Sequence, residues 1–139
     1  MPKVIISLQF QIEWKRPVAA NGNPFNWGDD KKYSKDKSWL CRCILYGWVR
    51  NSDKKVAYIG ETDRSLSDRV NNYISAQPGS EAGRTNKMVY AEQQKLHQIG
   101  DCMFLEFCDD VPGFDLNVEK QRKAAEGLLI GYYKPYLQF

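Results

Sequence analysis

The stretch Cys41-Arg42-Cys43-Ile44-Leu45-Tyr46-Gly47-Trp48-Val49, the turn Asn51-Ser52-Asp53-Lys54 and the run Val56-Ala57-Tyr58-Ile59-Gly60 decide the fold. Two short runs rich in β-branched and aromatic residues, separated by turn formers, predict an antiparallel pair of strands with a tyrosine on each. Glu61-Thr62-Asp63-Arg64-Ser65 then reads as turn and helix cap. Leu66, Val70, Tyr73, Ile74 and Gln77 fall near one helical stripe, which predicts a helix from about Ser65 to Ala76, stopped by Pro78-Gly79. Arg69 and Tyr73 are four apart on that helix and therefore neighbours, beside the buried stripe and able to face one cleft.

On the N-terminal side, Ile6, Leu8, Phe10, Ile12 and Trp14 alternate with Ser7, Gln9, Gln11 and Glu13. That is the period of a half-buried antiparallel strand, expected at a sheet edge. Residues Lys15 to Lys37 carry Pro17, Asn21-Gly22-Asn23-Pro24 and Gly28-Asp29-Asp30, which predicts an irregular, surface-exposed loop. In it Phe25, Trp27 and Tyr33 interleave with Lys31, Lys32, Lys35 and Lys37. Such a mixture suits base stacking beside phosphate contacts, or simply a loop pinned by its aromatics.

On the C-terminal side, Thr85 to Gln98 has helical spacing ended by Gly100, and Met103, Leu105 and Phe107 alternate as a further strand ended by Asp109-Asp110-Val111-Pro112-Gly113. Asp115 or Asn117 is expected to cap a last helix whose stripe is Val118, Ala125, Leu128, Leu129 and Tyr132, stopped by Pro135. Glu126 lies beside that stripe, near Arg122 and Lys123. The order of elements is α+β, with a small antiparallel sheet of three core strands plus an N-terminal strand, flanked by helices.

A chain of 139 residues is most simply one domain, with residues 1–40 as an extension. Its +3 net charge permits an anionic partner without demanding one, so the placement of charge matters more than the sum. Met1-Pro2-Lys3-Val4-Ile5-Ile6 lacks a signal-peptide pattern and no stretch approaches a membrane span, so a cytoplasmic protein with no membrane association is expected. Cys41 with Cys43, and Cys102 with Cys108, lie in pairs on single strand faces, but neither pair has the spacing of a zinc knuckle. Reduced, partly buried thiols are the simpler reading. His97, the one histidine, ends a helix far from the other candidates in sequence and is not expected to be catalytic.

Tyr46, Tyr58, Arg69 and Glu126 together suit phosphodiester hydrolysis. A carboxylate can hold a hard divalent cation, an arginine can meet negative charge developing on phosphate, and a tyrosine with a pKa lowered by cations can take a proton from water. Glu126, Arg69 and Tyr46 are the candidates for those roles, with Tyr58 orienting the water or phosphate. Singly, each has an ordinary structural explanation: strand tyrosines fill cores and helix glutamates face solvent.

In combination they resemble the GIY-YIG nuclease family, from Ile44 to the C-terminus. Ile44-Leu45-Tyr46 stands in the place of the family's first triplet, with leucine for its middle isoleucine and isoleucine for its glycine. Tyr58-Ile59-Gly60 is similar to the second triplet, and Leu66-x-x-Arg69-Val70-x-x-Tyr73 to the helix with the catalytic arginine. Position 73 is tyrosine where some members have histidine. Glu126-x-x-Leu129-Ile130-x-x-Tyr133-Lys134-Pro135 is similar to the terminal helix whose glutamate binds the metal.

The resemblance implies catalytic Tyr46, Tyr58, Arg69, Tyr73 and Glu126. It also implies Mg2+ or Mn2+ at Glu126, and hydrolysis of DNA to 5′-phosphate and 3′-hydroxyl ends without a covalent intermediate. It most resembles compact restriction or phage-type endonucleases. Lys31, Lys32, Lys35, Lys54, Arg122 and Lys123 are candidate DNA contacts, and Gln138 stands where the family often has asparagine. A single active site cuts one strand, so a homodimer or higher homo-oligomer is one route to a double-strand break. The alternatives are a non-catalytic DNA-binding module on the same fold, a DNA-repair nicking nuclease, or a protein-interaction domain that uses the aromatic loop.

Overall fold

In the computed structural model, residues 1–7, 9–28 and 31–138 are described. The fold is α+β: a three-stranded antiparallel sheet with helices on both faces. The strands are β1 (Ile44–Arg50), β2 (Val56–Thr62) and β3 (Met103–Cys108), in the order β2-β1-β3. The helices are α1 (Leu66–Ile74), α2 (Arg84–Gln98) and α3 (Glu119–Tyr133).

Register assigns every strand residue to a face, because side chains alternate and cross-strand partners share a side. Tyr46 is opposite Gly60 and Phe107, and Trp48 is opposite Tyr58 and Leu105. These residues form one face, packed with Leu66, Val70 and Tyr73 of α1, Val89 and Leu96 of α2, and Phe25, Trp27 and Trp39. Leu45, Ile59 and Cys108 face the other way and meet Ala125 and Leu129 of α3, with Val111 and Leu116. Of the stripe expected on the last helix only Ala125 and Leu129 are buried there; Val118, Leu128 and Tyr132 are exposed, and the inward face is completed by Arg122 with the partly buried Ile130 and Tyr133.

The segment expected to be an exposed loop is instead a plug of the first core. Phe25 and Trp27 are 0% and 1% exposed, and Trp27 lies 5.2 Å from the Trp48 ring. Aromatics supply most of the burial, so turn-rich composition did not keep them at the surface. The same segment closes the outer edge of β3. Lys15 and Phe107 exchange backbone hydrogen bonds at 2.8 and 3.0 Å, Trp27 N–H donates to Met103, and Leu105 N–H donates to Phe25. An unpaired strand edge is a liability, and this one is covered by two short pieces of chain.

The expected N-terminal strand does not form: among the described residues of 1–40 there is no strand. Ile6 is 76% exposed, whereas Ile12 and Trp14 pack against the α3 core; Leu8 lies outside the described residues. The bridge at Lys15 sits opposite Phe107, and β3 ends at Cys108, so the alternating segment runs past the end of its template. The first strand also starts later than expected, at Ile44, because Cys43 takes a φ of 54° that breaks the extended run. Cys41 and Cys43 therefore lie in no strand, and Cys102 precedes β3, so neither cysteine pair shares a strand face.

Ser65 caps α1 as expected, accepting from the Asp68 N–H at 3.3 Å. Neither Asp115 nor Asn117 caps α3. Its first flanking residue is Val118, and the Asp115 carboxylate accepts from the Asn117 N–H in a local turn instead. Lys134 ends α3 in a left-handed conformation, φ 48°. Among the described residues no helix is long and apolar enough to cross a membrane.

Candidate active site

The strand that follows the hairpin turn sets the site. Tyr46 points across β2 directly over Gly60, and a Cβ built at Gly60 would collide with the Tyr46 phenol. Glycine at position 60 is thus what allows the tyrosine to lie flat on its neighbour strand. From there the Tyr46 hydroxyl lies 2.8 Å from the Tyr73 hydroxyl, and Arg69 Nε donates to it at 2.8 Å. Arg69 Nη2 donates to the Tyr73 hydroxyl at 3.1 Å and to Asn86 Oδ1 at 3.0 Å, and the guanidinium lies 4.3 Å over the Tyr73 ring. Arg69 and Tyr73 are neighbours on α1, as their spacing requires, and both reach one strand residue.

Glu126 reaches this region around the outer edge of β2. The C-terminal tail pairs with that edge: Tyr136 and Leu137 N–H donate to Val56 and Ala57, and the Gln138 amide bonds both the N–H and the carbonyl of Ile59 at 3.0 Å. Glu126 takes the next position along, where a backbone hydrogen bond from Glu61 reaches its carboxylate. Tyr58 lies between the two halves, half-buried, its ring 6.4 Å from Tyr73, and it feels the charges of both Glu126 and Arg69. All five sequence candidates therefore belong to one neighbourhood.

The electrostatics correct one expectation. Arg69 was expected to lower the Tyr46 pKa, but burial pushes the phenol well above its ordinary value and the neighbouring guanidinium only partly offsets this. Tyr73 is raised for the same reason, with Tyr46 adding to it, and Tyr58 is raised by burial and then by the Glu126 charge. In the free protein the three hydroxyls are neutral at ordinary pH. Burial works against the Arg69 charge, but the two tyrosine oxygens hold it firmly charged. Burial raises Glu126, and the charge of Glu61 adds to the effect.

The candidate DNA contacts separate into groups. Lys31, Lys32 and Lys35 are exposed. Tyr33 among them donates to Asn71 Oδ1 and to the Ser67 carbonyl, which fastens this basic segment to the helix that carries Arg69. Lys54 is exposed at the hairpin turn, where it donates to Asn51 Oδ1 at 2.7 Å, at the opposite end of the strands from Gly60. Lys123 is exposed and pairs with Glu119 at 2.9 Å. Arg122 is not a surface contact: it is 4% exposed and donates to Glu61 at 2.6 Å and to the Leu116 carbonyl at 2.9 Å. Gln138 extends the sheet edge rather than projecting into the cleft alone.

Two residues escaped the sequence reading. Asn86 sits in the first turn of α2, and nothing in spacing marks it. Glu61 read as part of a turn, but it continues β2 and anchors Arg122. Among the described residues no group of three or more His, Cys, Asp or Glu side chains could hold a metal ion, and the four cysteines are free thiols. Compared with protein-family models, curated proteins and solved structures, the chain matches none.

Proposed function

We propose that the chain is a metal-dependent DNA endonuclease of the GIY-YIG type, hydrolysing phosphodiesters to 5′-phosphate and 3′-hydroxyl ends. The observation that carries this reading is the Arg69 guanidinium, fixed by the Tyr46 and Tyr73 hydroxyls on one side of Tyr58, with the Glu126 carboxylate on the other. A cation fits Glu126: the carboxylate is half-buried and beside the charge of Glu61, an environment in which added positive charge is favourable. Mg2+ commonly takes only one or two carboxylates and completes its shell with water and phosphate. Bound there, it would polarise the scissile phosphate and stabilise the departing oxygen.

The chain's own residues supply the rest. Arg69 meets the charge that grows on the phosphate oxygens, with little reorganisation because Tyr46 and Tyr73 already hold it. Tyr58, half-buried and within reach of the charges of both Arg69 and Glu126, orients the attacking water. The water oxygen bonds to phosphorus as the bond to the 3′ oxygen breaks; the proton lost by the water balances the one gained by that oxygen. Tyr46 serves here to hold Arg69.

Supercoiled plasmid incubated with Mg2+ tests the reading. Relaxation or linearisation by the wild-type protein, abolished in Glu126→Ala and Arg69→Ala, is the expected result. Equal cutting by all three proteins would reject the site, and retention of DNA without cleavage in Mg2+ or Mn2+ would favour the non-catalytic module.

A further inference from the structure

We infer that Asn86 is a positioning residue for Arg69, selecting which edge of the guanidinium meets phosphate; this rests on the proposed function. A guanidinium has five N–H groups in a fixed plane. Three are engaged among the described residues: Nε by Tyr46, and Nη2 by Tyr73 and by Asn86 Oδ1. The guanidinium carbon also lies 4.3 Å over the Tyr73 ring. The two Nη1 hydrogens are left as donors for an incoming phosphate.

The two tyrosines grip only the Nε–Nη2 side of the group. Asn86 takes the second Nη2 hydrogen, at the end of the plane, and so stops the guanidinium from swinging on its tyrosine contacts to offer Nη2 instead. A neutral amide is suited to this, since it holds the cation without neutralising it. Asn86 is in the first turn of α2 (Arg84–Gln98), so the arginine of α1 is fixed in part by the next helix. Donors aimed in advance at the position of the developing charge are worth most.

The test compares Asn86→Leu, which removes the acceptor and keeps a good helix former, with Asn86→Asp, which keeps the oxygen. Under saturating DNA, Asn86→Leu is expected to lower kcat about tenfold, with KM and Tm nearly unchanged. Asn86→Asp is expected to stay within about threefold of wild type, because the oxygen remains in place. In nitrogen NMR of the free protein, the distinct Nη1 and Nη2 signals of Arg69 should merge in Asn86→Leu and persist in Asn86→Asp, as rotation of the guanidinium is released. An unaltered kcat and spectrum in Asn86→Leu, equal losses in both variants, or a loss carried by KM would each overturn the inference. If the wild-type protein cuts no DNA, the functional reading fails by itself and the NMR comparison still decides the role of Asn86.

Discussion

Arg122 of α3 and Glu61 of β2 form an ion pair at 2.6 Å whose side chains are only 5% and 18% exposed. Arg122 also donates to the Leu116 carbonyl, so the pair fastens three segments: the second strand, the approach to the last helix, and the helix that carries Glu126. Breaking a buried pair by removing one partner leaves the other charge uncompensated, and that costs more than the pair contributes when intact. Arg122→Met, which keeps the alkyl length, is therefore expected to lower stability by about 2–3 kcal/mol, somewhat less than for a fully buried pair because Glu61 can regain some water. Adding Glu61→Leu should restore most of the loss. Urea denaturation of the three proteins checks this, and an unchanged midpoint for Arg122→Met would contradict it.

Gly60 is set by the Tyr46 ring. A methyl group at position 60 would collide with the phenol, and the strand cannot move away without breaking its pairing to β1. Gly60→Ala should cost about 1–3 kcal/mol as an overpacked site. Gly131→Ala is the control: it lies exposed in α3 with nothing within 4 Å of a built Cβ, and should gain up to about 1 kcal/mol. Similar effects at both positions in thermal unfolding would show that helix and strand propensity, rather than the tyrosine, governs position 60.

What was legible in the sequence follows how local the determining forces are. The hairpin, the Ser65 cap and the three helices were readable because periodicity and capping act within a few residues. That Phe25 and Trp27 pin their loop was one of its two readings, but the core they fill was not legible, since both pack on Trp48, far along the chain. The alternation of Ile6 to Trp14 was a true β pattern without a partner long enough to use it. At the site, residue identities were legible through the motif spacing. The pKa of Tyr46 was not, because the sequence shows a cation four residues from Tyr73 but not the depth at which Tyr46 is buried. Arg122 misled for the same reason: charge is visible in a sequence, and desolvation is not.

The basic segment next to α1 gives a prediction about DNA affinity that follows from the proposed function. Exposed lysines that neutralise phosphates release counterions, and each contact contributes about 0.9 to the slope of log affinity against log salt. Replacing Lys31, Lys32 and Lys35 together by alanine should lower that slope by about 2–3, whereas Lys54→Ala, at the far end of the hairpin, should leave it nearly unchanged. Binding titrations between low and moderate salt, made without Mg2+ to prevent cutting, would measure both slopes. A larger change for Lys54→Ala would move the DNA path to the hairpin turn.

The buried tyrosines make a last prediction about alkaline pH. Tyr46 and Tyr73 are raised by burial well above their unfolded values, and Tyr33 and Tyr136, also raised mainly by burial, titrate at about 12. A raised tyrosine pKa means that the folded state keeps a proton which the unfolded chain has already released above pH of about 10. The stability that these groups contribute is therefore complete below pH of about 10 and is lost as pH rises through their folded values. Urea midpoints should be flat around neutrality and fall steadily above pH of about 10, and tyrosinate absorbance should show that some of the eight tyrosines do not titrate until the protein unfolds. Tyr46→Phe removes one such proton and should make the alkaline fall shallower, even though it weakens the grip on Arg69 and lowers stability at neutral pH. An alkaline slope as steep in Tyr46→Phe as in wild type would mean that Tyr46 ionises as readily in the folded protein as in the unfolded chain, and would overturn its burial-raised pKa.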